Sequence, residues 1–142
     1  LTVTISESIE LNGRKIGGHE VRKIPGINEV LERIVTVQST GTSILGFDSA
    51  PGAGTFVRAN VKYVRITNLD NSTAIRLALI NGNTDVHVLI DPLRSFIISQ
   101  PVCRAEEDAA SITPDNITSI KAYTDSSGGA TSSDVEIFVA SV

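Results

Sequence analysis

A chain of 142 residues can bury about two thirds of its unfolded surface in one core, so a single domain is expected and neither metal nor disulfide is needed to hold it. Charged side chains make up 20% of the residues and the net charge is −4, which builds no basic field for a phosphate backbone and removes nucleic acid from the expected partners. The single cysteine, Cys103, excludes an internal disulfide framework and a multi-cysteine zinc site within one chain, and reads as an ordinary free thiol in a loop.

No apolar run approaches the roughly 18 residues of a membrane span. The opening LTVTISESIEL alternates too strictly for a signal peptide, so a soluble chain with no membrane partner is expected. There is no methionine, and an initiator is seldom removed before a side chain as large as leucine, so the chain is expected to start inside a longer gene product. Ser, Thr, Val and Ile are abundant while aromatics are only 4%, a balance that suits twisted sheets better than helices.

The first strand signal runs from Thr2 to Leu11, with Val3, Ile5, Ile9 and Leu11 on one face, Thr4, Ser6, Ser8 and Glu10 on the other, and Glu7 breaking the apolar face. Gly13 ends it. GRKIGGHEVRKIPGI then reads as a connecting loop and irregular edge around a short extended piece, Glu20 to Ile24. In NEVLERIV, Asn28 offers a helix cap and Val30, Leu31 and Ile34 recur at helical spacing, but the run continues into β-branched VTVQST, so Leu31 to Ser39 is expected to be strand. Thr42 to Phe47 is a further strand, and DSAPGAGTFVRAN after it reads as loop.

Val61 to Asn83 reads as two alternating arms joined by the turn NLDNST, with Val64, Ile66, Ile75, Leu77 and Leu79 as the inner face of a sheet and Arg65, Thr67 and Arg76 on its solvent or partner face. The reversal NGN leads into Val86, Val88 and Ile90, so three consecutive strands are expected to form a meander. Ser95 to Ser99 is another strand. Gln100 to Asn116 is a polar excursion in which Ala105 to Ala110 has the composition of one helical turn. Ile117 to Thr124 and Asp134 to Val142 are the last strands, separated by the flexible tip DSSGGATSS. The sum is an all-β, two-layer antiparallel β-sandwich, jelly-roll or Greek-key-like, of about nine strands. Residues 1–142 form one domain, and 1–60 are open to being an assembly-contact arm plus the first strands.

Candidate chemistry is sparse. His19 lies in a Gly-rich loop and His87 on the polar face of a strand, neither in a ligand motif, so both read as solvated or interface side chains. Glu106, Glu107 and Asp108, with Asp115, have the oxygen density of a calcium site but no Asp-x-Asp-x-Asp-Gly loop, and read as a solvated acidic loop. Gly52, Gly54 and Thr55 match a phosphate-binding loop by accident, since no lysine follows. No G-x-S-x-G turn and no paired Cys and His are present. The sequons at Asn71 and Asn116 read as turn residues. Tyr63 and Tyr123 could stack on a sugar, while they and Phe47, Phe56, Phe96 and Phe138 are otherwise core or cross-strand aromatics. No catalytic residue, metal ligand or cofactor is assigned, and the chain is expected not to be an enzyme.

VKYVRITNLDNSTAIRLALING, the strand SFIIS and the closing ITSIKAYTDSSGGATSSDVEIFVAS resemble small virion structural proteins of tailed bacteriophages, particularly those of marine hosts such as cyanobacteria. Residues 61 to 142 carry the resemblance; residues 1 to 60 match only as a β-rich amino-terminal part. It implies a structural role in the virion, as a capsid decoration (cement) protein or a tail or neck component, with other virion proteins and further copies of itself as partners. No functional residue transfers, because the matching positions are strand and turn residues. The expected contact segments are Thr2 to Leu11, Gly13 to Asn28 and Gln100 to Asn116, in a trimer or ring. The alternative expectation is a particle-surface module that attaches to host carbohydrate.

Overall fold

The computed structural model describes residues 1–82, 85–99, 104–105, 115–125 and 130–142, and aliphatic and β-branched residues at alternate positions make most of these extended. In chain order the strands are β1 (Thr2–Ser6), β2 (Ile9–Leu11), β3 (Arg14–Ile16), β4 (His19–Lys23), β5 (Glu29–Gln38), β6 (Thr42–Asp48) and β7 (Thr55–Val57), then a 3-10 turn at Arg58–Asn60. They continue with β8 (Val61–Asn68), β9 (Ile75–Ile80), β10 (Asp85–Ile90), β11 (Ser95–Ile98), β12 (Arg104–Ala105), β13 (Asp115–Asn116), β14 (Ser119–Thr124) and β15 (Ser132–Ser141).

Nine of these build a two-layer sandwich, as the alternation predicts: one sheet has the order β10-β9-β14-β6-β7, the other β11-β8-β15-β5. Ile75, Leu77, Leu79, Leu45 and Ile120 from the first sheet meet Val64, Ile66, Val135, Ile137, Val139 and Val37 from the second in one buried core. All pairings are antiparallel except β7, which lies parallel to β6. The last two strands in the chain are central: β14 sits between β9 and β6, and β15 between β8 and β5.

Three expectations are corrected. Val61 to Asn83 is not a hairpin, and β8, β9 and β10 do not form a meander: β8 pairs with β11 and β15 in one sheet, and β9 with β10 and β14 in the other. The two apolar faces therefore oppose each other across the core instead of lying side by side. The corner between them is locked by Asn68, whose buried Nδ2 donates to the carbonyls of Thr73 (2.8 Å), Ile90 (3.2 Å) and Asp91 (3.2 Å) while its Oδ1 accepts from Asp70 N–H. The Asp70 carboxylate accepts from the Ser72 and Thr73 N–H groups, both at 2.8 Å.

Second, the segment read as loop after β6 contains β7, which puts Phe56 into the core. The turn Gly52 to Thr55 folds the chain back, and Gly46 lets it come close: a Cβ there would lie 2.9 Å from Thr55 Oγ1. Third, Ala105 is not helical but pairs with Asp115 in the short ladder of β12 and β13. The rest of the expected helical turn, Cys103 and the acidic run Glu106 to Asp108 lie outside the described residues.

Candidate assembly interface

The segment expected to be a strand followed by an irregular loop is one long two-stranded ribbon. Its turn is Asn12-Gly13, with φ of 52° and 73°, the left-handed pair that a two-residue hairpin requires and that Asn-Gly adopts most readily. From Thr2↔Lys23 through Ile5↔Glu20 and Ile9↔Ile16 to Leu11↔Arg14 the register never slips, and Glu7 and Gly18 exchange backbone hydrogen bonds of 2.9 and 3.2 Å between the two ladder segments. Val3, Ile5, Glu7, Ile9 and Leu11 therefore share one face with Arg14, Ile16, Glu20 and Arg22.

The base of this arm is tied down. The Leu1 amino group donates to Ile24 O at 3.0 Å, and Ile24 N–H returns a bond to Leu1 O. Arg22 Nη1 reaches Ser99 Oγ at 3.3 Å. Beneath it lies the outer face of the four-stranded sheet, with a cavity of about 150 Å³ lined by Val3, Ile5, Arg22, Ile24, Tyr63 and Ile97 among others. Tyr63 is buried there and meets Phe138 edge to face, centroids 6.0 Å apart. Arg65 lies 5.5 Å from the Phe138 ring centroid and bonds Glu136 at 2.8 Å.

Beyond the base the same apolar face has no cover among the described residues. Ile9, Leu11 and Ile16 are 58%, 58% and 57% exposed. On the body, β5 is the edge strand of its sheet and turns Val30 and Ile34 outward at 55% and 64% exposure. Isolated exposed aliphatics are ordinary, whereas an apolar strip on an exposed ribbon is a candidate contact surface.

The residues singled out for chemistry are dispersed. His19 is exposed on β4 opposite Ser6, and His87 is exposed on the outer face of β10 opposite Ala78, so the two lie on opposite sides of the sandwich. Among the described residues no three His, Cys, Asp or Glu gather as a metal site. Gly52, Gly54 and Thr55 form the tight turn before β7. That turn borders an open cleft of about 470 Å³ at the sandwich edge, where the Arg33 guanidinium donates to Ile44 O. Phe47 and Phe56 are core residues, and Phe96 packs against the core. Tyr123 stacks under Arg76 at 4.6 Å on the outer face of the five-stranded sheet. Asn71 and Asn116 are exposed. The described backbone of the Gln100 to Asn116 excursion is the β12–β13 ladder.

The arm's extent is what the residue patterning missed, and Asn12-Gly13 was the available signal. Outward Val30 and Ile34 were also legible, as apolar residues on both faces of one strand. Among the described residues no helix is long and apolar enough to cross a membrane. Compared with known proteins, the chain matches no family model, no curated protein and no solved structure.

Proposed function

We propose that this chain is a non-enzymatic structural subunit of a tailed-phage virion, a capsid decoration (cement) protein or a tail or neck component, working as one member of a homo-oligomeric layer. The observation that carries the assembly part of this reading is the arm: a ribbon anchored on its own sandwich at the base and presenting Ile9, Leu11 and Ile16 to solvent at the tip. Such a strip is costly in water and gains by burial on a neighbour. The virion assignment rests on the sequence resemblance over residues 61 to 142.

The mechanism is mechanical. The sandwich is the rigid body, the arm reaches outward, and apolar contacts at the tip join subunits. The test is copy number in purified particles, measured by quantitative mass spectrometry against the major shell and tail proteins. A fixed, multi-copy ratio is expected. Absence from washed particles, or trace amounts that vary between preparations, would remove the reading.

A further inference from the structure

We infer that the arm tip docks on the outer face of β5 in a second copy of this chain, an inference that rests on the assembly reading above and names its partner. The arm face that carries Val3 and Ile5 against its own sheet continues past that contact as Ile9, Leu11 and Ile16, all more than half exposed. The outer face of the four-stranded sheet is correspondingly half covered: the arm base lies over Tyr63 of β8 and Ile97 of β11, while Val30 and Ile34 of β5 remain exposed. The chain thus carries an unpartnered apolar tip and an unpartnered apolar receiving face, and they do not meet within one copy.

The two surfaces match in pattern as well as in polarity. On the arm, Arg14 sits opposite Leu11 and two residues from Ile16, so a guanidinium stands among aliphatic side chains. On β5, Val30, Glu32 and Ile34 are alternate residues on one face, so a carboxylate stands between aliphatic side chains. Among the described residues neither Arg14 nor Glu32 has an ion-pair partner in its own chain. The larger charge distribution has the same sense. Residues 1–24 hold four basic and three acidic side chains, a net of +1; with −4 for the whole chain, residues 25–142 carry −5. Opposite charge steers the tip toward another copy's body and disfavours tip against tip.

Because donor and acceptor surfaces differ, the contact is head-to-tail, and repetition gives a ring where the rotation closes. Each copy supplies one tip and receives one, which satisfies both exposed surfaces using this chain alone. A foreign partner for either surface would leave the match between Arg14 and Glu32 without a use.

The test is sedimentation velocity of the full chain over a concentration series, with Arg14→Glu, Glu32→Arg and the double exchange. Both positions of change are exposed, and circular dichroism checks that each variant keeps the sandwich. Wild type is expected to self-associate, each single exchange to weaken association by about tenfold or more, and the double exchange to recover it to within about threefold, as for a reversed charge pair. A wild type that stays monomeric throughout, single exchanges without effect, or a double exchange no better than the singles would overturn the inference. A monomeric chain that is nevertheless abundant in particles defeats this inference and leaves the structural reading standing; an oligomer absent from particles does the reverse.

Discussion

Asn68 is the residue on which the two sheets are joined. It is fully buried, and its side chain bonds three carbonyls and one N–H, of which the bond to Ile90 O is itself buried. Asn68→Ala strands those groups, so a loss of about 2–4 kcal/mol is expected in urea unfolding, with no change in secondary structure by circular dichroism. Asp70 acts on the same corner with a pH signature. Hydrogen bonds from the Ser72 backbone, then the Thr73 backbone and the Ser72 hydroxyl, hold its carboxyl below the usual carboxylate range. The unfolded state therefore takes up a proton first as pH falls, and the contribution is present at neutral pH and lost below about pH 4. Asp70→Asn should be less stable than wild type at pH 7, with the gap closing as pH drops through that range; a gap independent of pH would contradict this role. NLDNST is legible as a turn because Asn, Asp and Ser favour local backbone bonds. That the turn is a corner between sheets is not legible there, since it depends on Asn68 reaching Ile90 and Asp91, more than twenty residues along the chain.

At the scale of elements, the strands that read most clearly are those with one wet and one buried face, such as β10. β7 was hidden because three residues are too few to show a period, and its burial depends on the side-chain gap at Gly46. The arm was obscured by Gly17, Gly18 and Gly13, which resemble loop composition until Asn12-Gly13 is recognised as a hairpin turn and Ile9 and Ile16 as a cross-strand pair. Gly13, at φ 73°, is the position to test: Gly13→Val forces a β-branched residue into the left-handed region and should unpair the tip. Amide exchange at residues 9–16 should speed up while β8, β14 and β15 keep their protection. If the whole molecule loses protection, the arm is part of the cooperative core and not an appendage.

For the molecule as a whole, the order of strands has consequences. β14 and β15, last in sequence, are central in their sheets, and β15 alone pairs with Gln38 through Glu29 on one side and with β8 on the other. Removal of 132–142 should therefore abolish folding rather than trim an edge, seen as loss of the cooperative unfolding transition. Such long-range pairing also places refolding in the range of about milliseconds to seconds. On the proposed function, the sandwich is a scaffold and the arm its working part. Hydrogen exchange on the free chain and on the chain in purified particles tests that claim most directly. Slower exchange on assembly at 9–16 and 29–35, with β9 and β14 unchanged, is the predicted result. A tip that exchanges equally fast in both states, or a chain that never enters particles, would contradict it.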